Sequence, residues 1–182
     1  MTDRDARAHG ELLAAYARTH VEFRDPASGV PCVLCPAPLG TVGRWPFAGV
    51  AIVPVVTAWH PRSDPRRDPS RNRADQEKLR RSIEGDGFAA IDCVGVGPAT
   101  DADAAAAATH DTGGATCATA SGRWAEPSLL VPGAPRALAR RWAARFAQNA
   151  IYVWTPTEWR VVGVLLDMDD VVLGWSLSPA RR

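Results

Sequence analysis

The chain has 182 residues, enough for one domain of ordinary size with its own core, and its 46% hydrophobic and 23% charged content is that of a globular protein. A formal charge of +1 gives no general attraction to nucleic acid or anionic lipid, so nucleic acid is not an expected partner. No apolar run reaches the roughly 18 residues of a membrane-spanning helix, and the opening "MTDRDARAHGELL" carries acidic residues where a signal peptide has its apolar core; a cytoplasmic address and reduced cysteines (Cys32, Cys35, Cys93, Cys117) are expected.

In chain order, "HGELLAAYARTH" predicts a helix, with Leu12, Leu13, Tyr16 and Ala17 on one face, followed by a short strand "VEF". The Pro- and Gly-crowded stretch from Arg24 to Pro46 reads as a loop or ragged hairpin. "GVAIVPVVTAW" is a strongly apolar strand, and Pro54 inside it predicts a bulge or an early strand start. After the polar "HPRSDPRRDPSRN", a helix is predicted over 72–84, with Ser70 as N-cap and Leu79 and Ile83 as anchors. "FAAIDCVGVG" and "EPSLLVPG" read as strands. Between them, residues 99–121 have biased composition and no amphipathic period, which predicts a mobile insertion in a single domain spanning 1–182. "APRALARRWAARFAQN" is a helix with Leu138, Trp142, Ala143 and Phe146 on its apolar face, "AIYVWTP" a strand, and "WRVVGVLL" with "VVLGWSL" a terminal hairpin around "DMDD". From Ala51 to Trp154 the order is βαββαβ. It predicts an α+β, ferredoxin-like two-layer sandwich with an added N-terminal helix and a C-terminal β-hairpin.

Five blocks in order, "TAWHPRS", "NRADQEKLRRSIEGDGF", "GVGP", "WAEPSLLV" and "RFAQNAIYVW", resemble the bacterial domain of unknown function 3293 family, over roughly Tyr16 to Trp159. That family's pattern runs TAxNPxS, an Asn-led helix, a Gly-rich strand end, a Trp near EPS, and FxQNA. Here His60 stands where the pattern has Asn, the insertion at 99–121 is longer, and the Cys32/Cys35 pair has no counterpart. The resemblance implies a compact bacterial domain and brings no reaction with it. It puts weight on Thr57, His60, Ser63, Asn72, Glu126, Ser128, Gln148 and Asn149.

Each of these residues has a chemical and a structural reading. His60 can transfer protons near neutral pH; Asn in its place would only hydrogen-bond, which favours a hydrogen-bonding role that holds the loop at Pro61. Gln148 and Asn149 can recognise a carboxamide, a base edge or a phosphate-bearing ligand, or simply form a helix exit, where Asn tolerates the left-handed conformation. Glu126 is a second acid–base candidate or a salt-bridge partner. Strand alternation puts Trp59 and His60 on opposite faces. With the expected sheet order, His60 and Asn149 share one sheet end and Glu126 lies at the other. The single "CVLC" is half of a zinc site by spacing and two packed thiols otherwise, so no metal is assigned. The arginine-rich stretch from Arg62 to Arg81 is a phosphate loop or a solvated helix face.

The leading expectation is a domain that binds a small polar or phosphorylated ligand, such as a nucleotide, at the end of the TAWHP strand. Thr57, Trp59, Ser63, Asn72, Ser128, Gln148 and Asn149 would be the binding residues. In a catalytic version His60 is the first proton-transfer candidate and Glu126 the second; no cofactor is specified. The alternative is a non-catalytic protein-interaction module in which the same residues are caps and turn locks.

Overall fold

Burial along the strands decides the architecture. "AIYVW" is buried at all five positions and "VPVV" at all four, so these strands are covered on both faces, whereas "HVEFR" buries only alternate residues and meets protein on one face. The structure, a computed structural model, describes residues 10–12, 14–64, 66–98, 118–119 and 123–180. Residues 10–12 and 14–16 are helical. The elements that follow are β1 (His20–Arg24), β2 (Pro31–Ala37), β3 (Val53–Val56), a 3-10 turn (Pro61–Ser63), α1 (Pro69–Gly85), β4 (Ile91–Pro98), β5 (Ala118–Thr119), β6 (Arg123–Leu130), α2 (Arg136–Arg145), β7 (Ala150–Trp154), β8 (Trp159–Gly163) and β9 (Val171–Pro179).

The strands run β3-β7-β8-β9-β2-β1-β4-β6, and β6 pairs back onto β3, which closes an eight-stranded antiparallel barrel; β5 hangs on β6 outside the ring. The expected two-layer ferredoxin-like sandwich is therefore overturned. The terminal hairpin read as an addition, β8 and β9, joins with β1 and β2 to link the two free edges of the central sheet. Their alternate buried residues, Val21, Phe23, Cys32, Leu34, Trp159, Val161 and Trp175, supply the second wall of one core. Eight strands enclose a space just wide enough to be filled by side chains. Here aromatic rings fill it: Phe47 lies edge-on to Trp154 with centroids 5.5 Å apart, and Trp175 does so at 5.1 Å. Phe47 and Trp45 come from the β2–β3 connection, so the Pro/Gly-rich stretch read as a loop contributes a barrel strand and a hydrophobic plug.

A second core lies outside the barrel. Leu79 and Ile83 of α1 and Ala139, Trp142 and Ala143 of α2 pack on the outward Val56, Leu129, Ile151, Val153 and Val162. α1 starts at Pro69, and its N-cap is Asp68 rather than Ser70: the Asp68 carboxylate accepts the Ser70 N–H at 2.7 Å. The Trp142 indole donates to Asp86 at 2.7 Å and ties the two helices together. Of the insertion expected at 99–121, only Ala118–Thr119 falls within the described residues; the mobility expected of it lies outside them.

Register fixes where the chemistry lies. β3 is antiparallel to β6, with Val55 opposite Leu130, and antiparallel to β7, with Val55 opposite Tyr152. Continuing past Val56, the chain runs toward Glu126 on one side and Asn149 on the other. The expectation that Glu126 sits at the far end of the sheet from His60 rested on a parallel β3–β6 pair and fails with it.

A polar mouth as candidate functional site

Alternation carries each inward row of side chains from apolar to polar in the same direction. On β6 the row is Leu130, Ser128, Glu126; on β3 it continues from Val55 to Thr57; on β1 it leads back from Phe23 and Val21 to Thr19; on β4 it is Cys93, Gly95, Gly97. The barrel thus has an aromatic floor and a polar mouth. The inward glycines leave room for neighbours: a Cβ at Gly97 would lie 2.8 Å from both Thr19 Oγ1 and Trp124 Nε1, so these two groups occupy the space a side chain would take.

Tyr16, from the N-terminal helical segment, reaches into the mouth. Its phenol faces the Ser63 hydroxyl and the Asn149 amide, which favour ionisation, but burial outweighs them and, with the Glu126 charge, pushes its pKa up to about 12. The Tyr152 hydroxyl donates to the Tyr16 carbonyl at 3.2 Å, and burial drives its pKa well above the ordinary value. Both phenols are neutral donors at physiological pH.

The segment "TAWHPRS" forms the rim. Thr57 Oγ1 donates to the Pro127 carbonyl at 2.9 Å, lies 3.4 Å from Glu126 Oε1, and accepts the Trp59 N–H at 3.0 Å. α1 supplies two amide oxygens one turn apart: Gln76 accepts the Ala58 N–H at 2.8 Å, and Asn72 the His60 N–H at 3.2 Å. The α2–β7 connection supplies three more tethers. The Ala147 carbonyl accepts the Arg62 N–H at 2.8 Å, Gln148 Nε2 donates to the Trp59 carbonyl at 2.9 Å, and Asn149 Nδ2 donates to Ser63 Oγ at 3.0 Å. Within this frame His60, Arg62 and Ser63 take φ of 42°, 57° and 55°. Three non-glycine residues in the left-handed region within four positions are rare, and each costs of order 1–3 kcal/mol.

The residues expected at a site divide into three groups. Thr57, Ser63, Glu126, Ser128 and Asn149 gather at the mouth, where Ser128 Oγ donates to the Glu126 carbonyl at 3.2 Å. His60 heads the loop, half-buried, with its ring 6.2 Å from that of Trp59; the chain has left the strand there, so strand alternation no longer separates the two. Asn72 and Gln148 are buried and hold the loop from behind, and Trp59, a residue of the loop itself, is buried with them. The left-handed residue at the exit of α2 is Ala147, not Asn149: the Gln148 N–H bonds the Ala143 carbonyl and the Ala147 N–H the Ala144 carbonyl, a Schellman ending. Tyr16, Tyr152, Thr19 and Gln76 were not foreseen. Gln76 had a visible signal, an amide one turn after Asn72 on a face otherwise read as apolar; Tyr16 had none, since its hydroxyl meets partners distant in sequence.

Cys32 and Cys35 do not form half a zinc site. They lie on a strand, three residues apart, and so on opposite faces; Cys32 points into the core. Among the described residues no three His, Cys, Asp or Glu side chains group to hold a metal, and no helix is long and apolar enough to cross a membrane.

Residues 104–151 match the family model described as "Protein of unknown function (DUF3293)". This partial match takes in the "WAEPSLLV" and "RFAQNA" blocks, hence Glu126, Ser128, Gln148 and Asn149 of the mouth and its tethers; the "TAWHPRS" loop lies outside it. Neither the curated proteins nor the solved structures give a match.

Proposed function

We propose that the polar mouth of the barrel binds a small polar molecule, with Ser63, Asn149, Thr57, Tyr16 and Glu126 as its hydrogen-bonding groups and His60 at the rim. The observation that carries this reading is the loop from Thr57 to Ser63, fixed in a strained shape by side chains from α1 and from the α2–β7 connection. Strain of this kind collects at binding and active sites, where the surrounding structure over-determines it, and mouths of β-barrels are common ligand sites. The thiols of Cys32 and Cys93, neither in a disulfide, accord with action in the cytoplasm. Native mass spectrometry of the purified protein, with thermal-shift screening of polar metabolites, tests the reading. A bound molecule should be lost in Ser63→Ala while the melting temperature holds, because Ser63 is exposed. A molecule that Ser63→Ala and Glu126→Gln both retain in full would place binding elsewhere.

A second reading, a protein-interaction module, is favoured by Leu39, Val42 and Leu165, which are exposed at 71%, 52% and 44% on connections that leave β2 and β8 at the mouth end. Sedimentation of the wild type and of Leu39→Asp tests it: a self-associating wild type and a monomeric variant would support this face as an interface.

A further inference from the structure

We propose that the α1 side of the rim loop holds an oxyanion, the phosphate or carboxylate group of a small molecule, on three side-chain donors: Arg67 Nη1, Asn72 Nδ2 and Gln76 Nε2. All three nitrogens are shut off from solvent, and among the described residues none has a hydrogen-bond acceptor. Buried polar groups are nearly always paired, so three orphaned donors gathered at the start of one helix point to a bound acceptor. Asn72 and Gln76 stand one turn apart on α1, which puts their Cβ atoms about 5–6 Å from each other. The loop settles which way each amide faces. The N–H groups of Ala58 and His60 require an oxygen, so Gln76 Oε1 and Asn72 Oδ1 meet them and each NH2 is left over. Arg67 reaches the same two turns: its Nη2 donates to Asp75, the neighbour of Gln76, and Nη1 remains. Asn72 is wholly buried, so its amide has no water to turn to.

The donor set names the class of ligand. A guanidinium and two amide NH2 groups donate only, and the amide oxygens are already taken, so the ligand must bring acceptors. Charge agrees. Arg67 and Lys78 share the Asp75 carboxylate, two cations to one anion, and the first turn of α1 adds the positive end of the helix dipole. The Arg67 side chain, 23% exposed, is the layer between these donors and solvent, and the oxyanion enters past it. This site lies behind the loop and does not depend on the mouth binding anything.

Titration of the wild-type protein with inorganic phosphate, and separately with acetate, tests this against sodium chloride at matched ionic strength, read by thermal shift and by heteronuclear NMR of the side-chain amides. At least one oxyanion should raise the melting temperature where chloride does not, and the NH2 resonances of Asn72 and Gln76 should move together to a plateau. Gln76→Glu keeps an oxygen for the Ala58 N–H while removing a donor and adding a repelling charge, so affinity should fall by roughly a hundredfold. Arg67→Gln should weaken it by roughly tenfold or more. Undiminished binding in Gln76→Glu would overturn the site. So would an oxyanion that shifts Asn149 and leaves Asn72 and Gln76 unmoved; that result would put the anion at the mouth and leave the mouth reading standing. If neither oxyanion moves these resonances, internal water meets the donors and the site is overturned. The wild-type spectra decide the matter even if neither variant folds.

Discussion

Thr57→Val removes one hydroxyl and keeps the side-chain shape, so it separates hydrogen bonding from packing. The Thr57 hydroxyl does two jobs at the rim: it accepts the Trp59 N–H at 3.0 Å and donates to the Pro127 carbonyl at 2.9 Å. Trp59 is 7% exposed, so its amide has little water to turn to. A buried donor left without its acceptor costs about 1–3 kcal/mol; the Pro127 carbonyl, at a half-buried position, adds less. A destabilisation of about 2 kcal/mol follows, with no cavity contribution, and for a chain of this length it lowers Tm by about 4–8 °C. Urea denaturation at constant m-value measures it, with Ser63→Ala as the exposed control at about 0.5 kcal/mol or less. Thr57→Val within about 0.5 kcal/mol of the wild type would mean that Thr57 does not hold the loop, and the account of a fixed rim would lose its anchor.

Other perturbations probe separate parts of the structure. Ala147→Gly should stabilise the protein by about 0.5–1 kcal/mol in thermal unfolding, since Ala147 ends α2 at φ 53°, where glycine escapes the Cβ penalty. Gly97→Ala should cost about 1–3 kcal/mol by overpacking, because the new methyl would press on Thr19 and Trp124, both held in the mouth; normal melting would show that these groups move aside freely. Alkaline titration reads the two tyrosines, Tyr16 and Tyr152, the full complement in the sequence. Both phenols are raised, so the folded protein should show no phenolate absorbance at pH 10, and Tyr16 should ionise near pH 12. The unfolded chain ionises near 10, so the stability linked to Tyr16 is fully present below that pH and about 2–3 kcal/mol is lost as pH rises toward 12. Phenolate appearing at pH 10 in a still-folded sample would contradict the burial of both rings.

Local structure was legible where period and punctuation act locally. The apolar spacing of Leu79 and Ile83, and of Trp142 and Ala143, marks the two helices. "AIYVW" and "VVLGWSL" declare themselves as strands, and the terminal hairpin pairs as expected, with Arg160 opposite Val172. Closure was not legible, because a half-buried strand does not say what it faces: Phe23 and Leu34 look the same under a helix as across a barrel. The direction of β3 relative to β6 was equally silent, and that one relation decides whether Glu126 joins His60 or opposes it. The site was visible as a set of residues but not as a division between them. Asn72 and Gln148 carry the same chemistry as Asn149, and only burial distinguishes the tethers behind the loop from the groups that face the mouth.

The shape of the rim allows one more test, because glycine would suit it better than what is there. Arg62 sits at φ 57° with its side chain exposed. A non-glycine residue in that region costs about 1–2 kcal/mol, and glycine gives back about 0.5–1 kcal/mol of it in backbone entropy. Arg62→Gly should therefore be more stable than the wild type by about 0.5–1 kcal/mol in urea, with the Arg62 N–H still held by the Ala147 carbonyl. A side chain kept at a position where its removal stabilises the fold does something other than hold the fold. If Arg62→Gly is instead destabilised, the guanidinium is part of the scaffold, and the loop's strain is the cost of packing rather than of a prepared rim. If it is stabilised and the molecule bound at the mouth is held more weakly, strain and function are tied to the same residue.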